Sequence, residues 1–246
     1  MNTIRIVGMG PGNESMMTQQ AIQALESADV IVGYTVYLDL LGEKFRDKEF
    51  LSTPMKQEAE RCRMCFREAA KGKTVAMVCS GDAGIYGMAS LMYEIREEMG
   101  ADADDIDIEV IAGITAASSG AAVLGAPLSH DFCVISLSDL LTPWELIGKR
   151  LRAAAEGDFA IAIYNPSSRK RHDYLMKACD ILLESVEPER ACGYVHSIGR
   201  EGEEYHTCTL KELRDTQVDM FTTVFIGNSQ SRIIDGKLIT PRGYRL

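Results

Sequence analysis

Ile4-Arg5-Ile6-Val7-Gly8-Met9-Gly10-Pro11-Gly12 decides the fold of this chain. A β-rich run ends in alternate glycines, and residues 18–28 then carry Ala21, Ile22, Leu25 and Ala28 at helical spacing. Strand, glycine loop and helix in that order open a βα unit. The rhythm continues downstream. Residues 30–32 read as a buried strand, 58–70 as a helix, 74–79 as a strand and 89–99 as a helix. Residues 108–111 are a further strand, followed by a helix of tiny residues over 115–124.

The second half repeats the alternation. Strands are predicted over 132–137, 159–164, 192–197 and 222–226, the last of the chain. Helices are predicted over 144–155, 172–184 and 209–216. Alternation of this kind implies a mostly parallel sheet. Gly125-Ala126-Pro127 is the best junction, so the reading is α/β: two α/β domains, 1–124 and 125–246, with a cleft between them.

Composition narrows the function. Hydrophobic residues at 46% and charged residues at 25% of 246 residues are globular values, which removes the disordered and fibrous classes. No stretch approaches the apolar length of a membrane helix, and no export signal opens the sequence, so a cytoplasmic protein is expected. A net charge of −10 disfavours nucleic acid as a partner. The short basic cluster Arg169, Lys170 and Arg171 suits an anionic small molecule better.

Seven cysteines without an export signal read as reduced thiols. Cys62 and Cys65 have C-x-x-C spacing, yet no second pair or spaced histidine completes a metal set, so they read as helix-face thiols and no metal is expected.

Three glycine loops follow three predicted strands. The first fails the dinucleotide fingerprint: Asn13 stands where the third glycine belongs, and Pro11 removes a backbone donor. Asp29 lies where a ribose-binding acid is placed, but it also simply precedes a strand. The second loop is Ser80-Gly81-Asp82-Ala83-Gly84-Ile85-Tyr86-Gly87. It reads either as backbone packed against a ligand or as a plain turn. The third, Ala112-Gly113-Ile114-Thr115-Ala116, opens the tiny-residue helix; Thr115 is its N-cap or part of a cofactor wall.

Taken together, G-x-G-P-G, S-G-D-x-x-I-Y-G and G-I-T-A resemble the tetrapyrrole methyltransferases of uroporphyrinogen, precorrin and diphthine chemistry. Within that family the resemblance is to the branch that methylates carbon 17 of precorrin-3B, or its cobalt form, with ring contraction. It is carried by residues 125–132, 135–144, 163–169 and 240–244. One departure is Ala83, where many relatives carry proline.

The resemblance implies S-adenosylmethionine bound between two α/β domains, an anionic tetrapyrrole substrate and a homodimer. By matching position, Pro11, Ser80, Gly81, Asp82, Ile85, Tyr86, Thr115 and Ala116 would line the cofactor from the first domain. Tyr164, Asn165, Ser197 and Thr223 would close it from the second. Ring contraction needs a proton carrier, and His130 and Asp131 are the candidates; His130 alternatively only hydrogen-bonds at a strand start. Asp82 is a further catalytic candidate, or orients its loop through backbone amides. Arg169, Lys170 and Arg171 would pair with substrate carboxylates, since at a helix start the helix dipole disfavours them. Competing readings are methylation of another carbon, an NAD-dependent oxidoreductase and a non-catalytic tetrapyrrole carrier. The free thiols and the lack of an oxygen-handling site lean toward a substrate that already holds cobalt.

Overall fold

The computed structural model describes residues 2–245. It falls into two compact units, Met1–Ala116 and Ala117–Leu246. In the first, β1 (Asn2–Gly8) leads to α1 (Gln19–Glu26), β2 (Val30–Tyr34) and the short α2 (Thr35–Leu38). Then come β3 (Glu49–Thr53), α3 (Glu58–Ala70), β4 (Val75–Cys79), α4 (Ala89–Met99) and β5 (Ile106–Ile111). The sheet order is β3-β2-β4-β1-β5 and every pairing is parallel.

The central strands β2, β4 and β1 are largely apolar on both faces because both faces are covered. Ile4, Ile6, Val30, Val32, Val75 and Met77 pack on one side with Cys62, Phe66 and Met92 of α3 and α4. Val7, Ile31, Ala76, Val78 and Ile111 face the other way, toward Ala21 and Leu25 of α1. Cys62 and Cys65 therefore point into the core. Burial pushes the Cys62 thiol up to about 12 and Cys65 well above its ordinary value.

Helix α5 (Ala116–Leu124) precedes the second sheet, built from β7 (Phe132–Ser136), β8 (Ala160–Tyr164), β9 (Ala191–His196), β10 (Glu204–Thr209) and β11 (Thr222–Ile226). Its helices are α6 (Trp144–Glu156), α7 (Tyr174–Leu182) and α8 (Leu210–Arg214). The order is β10-β9-β11-β8-β7. Here the pairing is mixed. Only β7 and β8 pair in parallel; β8–β11, β11–β9 and β9–β10 are antiparallel. No helix separates β9 from β10. They form a hairpin, which reverses the chain and lets β11 enter between β9 and β8.

Two short strands follow the expected last one. β12 (Arg232–Ile234) pairs with β13 (Lys237–Ile239), which pairs in turn with β6 (Gly125–Ala126). Pro127 accepts from Thr240 Oγ1 at 2.6 Å. The segment read as a junction is thus stitched to the C-terminal hairpin. Helix α5 packs with the second unit, where Gly120 leaves room for Phe225 and Gly193 for Leu124.

Candidate functional site

In the first unit, three glycine loops meet at the C-terminal ends of the neighbouring strands β4, β1 and β5. Ends of this kind are where parallel α/β sheets place ligands. The contact is backbone against backbone. Gly10 N–H donates to Gly81 O at 3.1 Å, and Gly81 N–H donates back to Gly10 O at 2.7 Å. A Cβ on Gly113 would lie 2.2 Å from Gly81 O, and one on Gly8 2.7 Å from Gly113 N. Only glycine permits this approach. Gly81 itself has φ +71, and above it the nearest atoms are the Thr115 Cα at 3.8 Å and the Ala116 N at 3.9 Å. The result is a shallow cradle walled by main chain rather than side chains.

Asp82 fastens the cradle. Its Oδ1 accepts from the Gly84 and Ile85 amides at 2.8 and 3.1 Å. Its Oδ2 accepts from Gly113 N at 2.9 Å. Beyond it, Ile85 and Tyr86 stand 40% and 55% exposed. Pro11 is buried in the first loop, and Ser80 and Thr115 are half-buried. Asp29 does not reach this place: its Oδ2 accepts from Thr74 N at 2.8 Å, which accounts for the residue structurally.

In the second unit, Tyr164, Asn165, Ser197 and Thr223 gather at one end of the sheet. Ser136 pairs with Tyr164, Thr222 with His196, and Val224 with Ile163, which puts Thr223 beside Tyr164. Tyr164 Oη accepts from the Ala117 amide at 2.7 Å, satisfying a free N–H in the first turn of α5. Asn165 Nδ2 donates to Ser136 Oγ at 2.9 Å.

Tyr86, Asn165 and Ser197 share an unusual backbone, with φ of 54°, 53° and 52°. Left-handed non-glycine residues are costly, and they concentrate at functional sites.

The proton candidates lie at the start of β7. His130 Nδ1 accepts from the Asp131 amide at 2.8 Å, so a neutral ring carries its proton on Nε2. Asp131 O accepts from Ala160 N at 3.1 Å. Both side chains are exposed.

The basic cluster is corrected in its setting. Helix α7 begins at Tyr174, and Ser168–Arg171 is a turn, so no helix dipole acts on these cations. Arg169 and Lys170 are exposed. Arg171 is 17% exposed and its Nε donates to Asp139 Oδ1, whose other oxygen accepts from Tyr174 Oη at 2.7 Å. The Tyr174 hydroxyl, with Arg171, holds the Asp139 carboxyl below its ordinary value. Sequence reasoning passed over Ser136, Asp139 and Tyr174, although the first two lie within the segment 135–144 that carried the resemblance. It also passed over Gly8 and Gly113 as contact residues; their position at strand ends was the available signal. Among the described residues, no three His, Cys, Asp or Glu side chains are arranged to hold a metal, and no helix is long and apolar enough to cross a membrane.

A family model for tetrapyrrole (corrin/porphyrin) methylases matches residues 3–214. The chain is 45% identical over 243 residues to a Salmonella typhimurium protein named probable cobalt-factor III C(17)-methyltransferase, covering 99% of this chain and 100% of that one. It is 37% identical over 247 residues to a precorrin-3B C(17)-methyltransferase of a Sinorhizobium species, covering 98% and 97%. The crystal structure of the methyltransferase CobJ matches with a TM-score of 0.91 and 35% identity, over 98% of this chain and 100% of that chain. With a family model matching residues 3–214 and a relative matched nearly end to end at 45% identity, the chain belongs to the tetrapyrrole (corrin/porphyrin) methylases.

Proposed function

We propose that this protein is an S-adenosylmethionine-dependent methyltransferase acting on carbon 17 of cobalt-factor III or precorrin-3B, with ring contraction, in cobalamin biosynthesis. The observation that carries this reading is the end-to-end likeness to a protein named for that activity, at 45% identity. The main-chain cradle supports it. Pro11 withholds a donor and Gly81 opens space without a side chain, which suits a cofactor that carries no phosphate.

When bound, the cofactor supplies an electrophilic sulfonium methyl. The chain's own task is then to bind, orient and exclude water, and alignment of the reacting partners is a large source of acceleration. Gly81, Ile85, Tyr86, Thr115 and Ala116, with Pro11 and Ser80, are the cofactor-contact residues proposed in the first unit, and Tyr164, Asn165, Ser197 and Thr223 are those proposed in the second. Asp82 positions the loop through three amides rather than moving a proton.

His130 Nε2 is the available group for proton exchange during contraction, and Asp131 Oδ2 lies 3.7 Å from the other ring nitrogen, Nδ1. Arg169 and Lys170 meet substrate carboxylates, while Arg171 stays paired with Asp139. A cytoplasmic homodimer completes the reading.

Calorimetric titration with S-adenosylhomocysteine, in parallel with NAD, tests it. Micromolar binding of the first alone, followed by carbon-17 methylation of cobalt-factor III or precorrin-3B, supports the assignment. An NAD signal without S-adenosylhomocysteine binding overturns it.

A further inference from the structure

The loop between β7 and α6 presents two leucines to solvent: Leu140 is 66% exposed and Leu141 99%. Single exposed leucines are ordinary, but an adjacent pair on a pinned loop is not. Pinning is evident at each end. Leu137 N–H donates to Tyr164 O at 2.9 Å, and Ser138 N–H donates to Ser136 Oγ, which also accepts from Asn165. Asp139 is held by Arg171 and Tyr174, and the Tyr174 ring meets Trp144 with centroids 4.5 Å apart. The leucines are therefore held outward by the fold.

Two features of the surroundings identify the occupant. The loop leaves β7 at the same sheet end that carries Tyr164 and Asn165. The Asp139–Arg171 pair also brings the turn bearing exposed Arg169 and Lys170 alongside the leucines. An apolar pair edged by cations, on a protein of net charge −10, matches a flat apolar ring with carboxylates around its rim. Resting on the function proposed above, we infer that Leu140 and Leu141 form a platform for the face of the tetrapyrrole substrate. They are specificity-determining residues for the substrate.

The test is the variant L140S/L141S beside L140M/L141M, assayed with cobalt-factor III. Serine at both positions raises KM about tenfold or more, as expected from losing roughly one leucine's worth of apolar burial. The affinity for S-adenosylhomocysteine and the thermal midpoint stay as in the parent, and the methionine variant keeps the parent's KM. An unchanged KM in an active L140S/L141S protein overturns the inference. So does an unchanged KM accompanied by dissociation into monomers, which would make the pair a contact between copies. A parent protein that binds no S-adenosylhomocysteine and methylates nothing overturns the proposed function and this inference together. That outcome differs from the others because it appears before any substitution is made.

Discussion

Asp82 Oδ2 accepts the Gly113 amide at 2.9 Å, fastening the loop after β4 to the loop after β5 across 31 residues of sequence. Both strands flank β1, whose own loop is held to the loop after β4 by the Gly10–Gly81 backbone pair. Asp82→Ala leaves three amides without that acceptor. Unfolding free energy in urea should fall by about 1–3 kcal/mol, and S-adenosylhomocysteine should bind about tenfold more weakly. Unchanged binding with lost turnover would instead make Asp82 a proton carrier.

Gly113→Ala places a methyl 2.2 Å from Gly81 O. Neither backbone has room to yield, so the loops must separate, at a cost of about 1–3 kcal/mol or more. Gly84→Ala meets only Asp82 Oδ1 at 3.4 Å, an ordinary van der Waals contact, and should be near neutral. Thermal midpoints of the two variants, measured side by side, check the contrast.

Tyr164→Phe removes the oxygen that accepts from Ala117 at the start of α5. A lost helix-start acceptor costs about 1 kcal/mol. Chemical denaturation should show a lower midpoint at an unchanged slope, while activity declines only modestly. A shallower slope would point to a looser folded or unfolded state rather than a lost cap.

The thiols set an alkaline limit. Desolvation raises all seven: Cys79 and Cys133 to about 11, Cys62, Cys179 and Cys208 to about 12, and Cys65 and Cys192 well above their ordinary value. A raised acid keeps its proton in the folded state after the unfolded chain has lost it. Stability is therefore intact below the ordinary value of 9.0 and declines as pH rises beyond it. Native protein at pH 8 should react slowly with a thiol reagent, and denatured protein should release all seven. Rapid reaction of Cys62 or Cys65 in the native state would contradict their burial.

Much of the architecture was legible because its signals are local. Glycine-ended apolar strands and helices of 3.6-residue period announce themselves within a dozen residues. Strand β3 was missed because Glu49–Thr53 is mostly exposed at a sheet edge and lacks an apolar run. Helix α7 was placed two residues early because His172 and Asp173 form a turn compatible with helical composition. The loop residues 80–87 and 112–116 were found by their glycines, whereas the partner of Asp139 left no trace in its own neighbourhood.

By itself, the sequence determined the α/β class, the three glycine loops and the family they resemble. Each depends on residues close together in the chain and on their intrinsic backbone freedom. Only the tertiary structure decided that the second sheet is mixed, that α5 packs with the second unit, and that Arg171 answers Asp139 rather than solvent. Those outcomes depend on pairings such as Asp139–Arg171, 32 residues apart. The free energy of such pairings depends on what the whole fold brings into contact, and no local pattern encodes it.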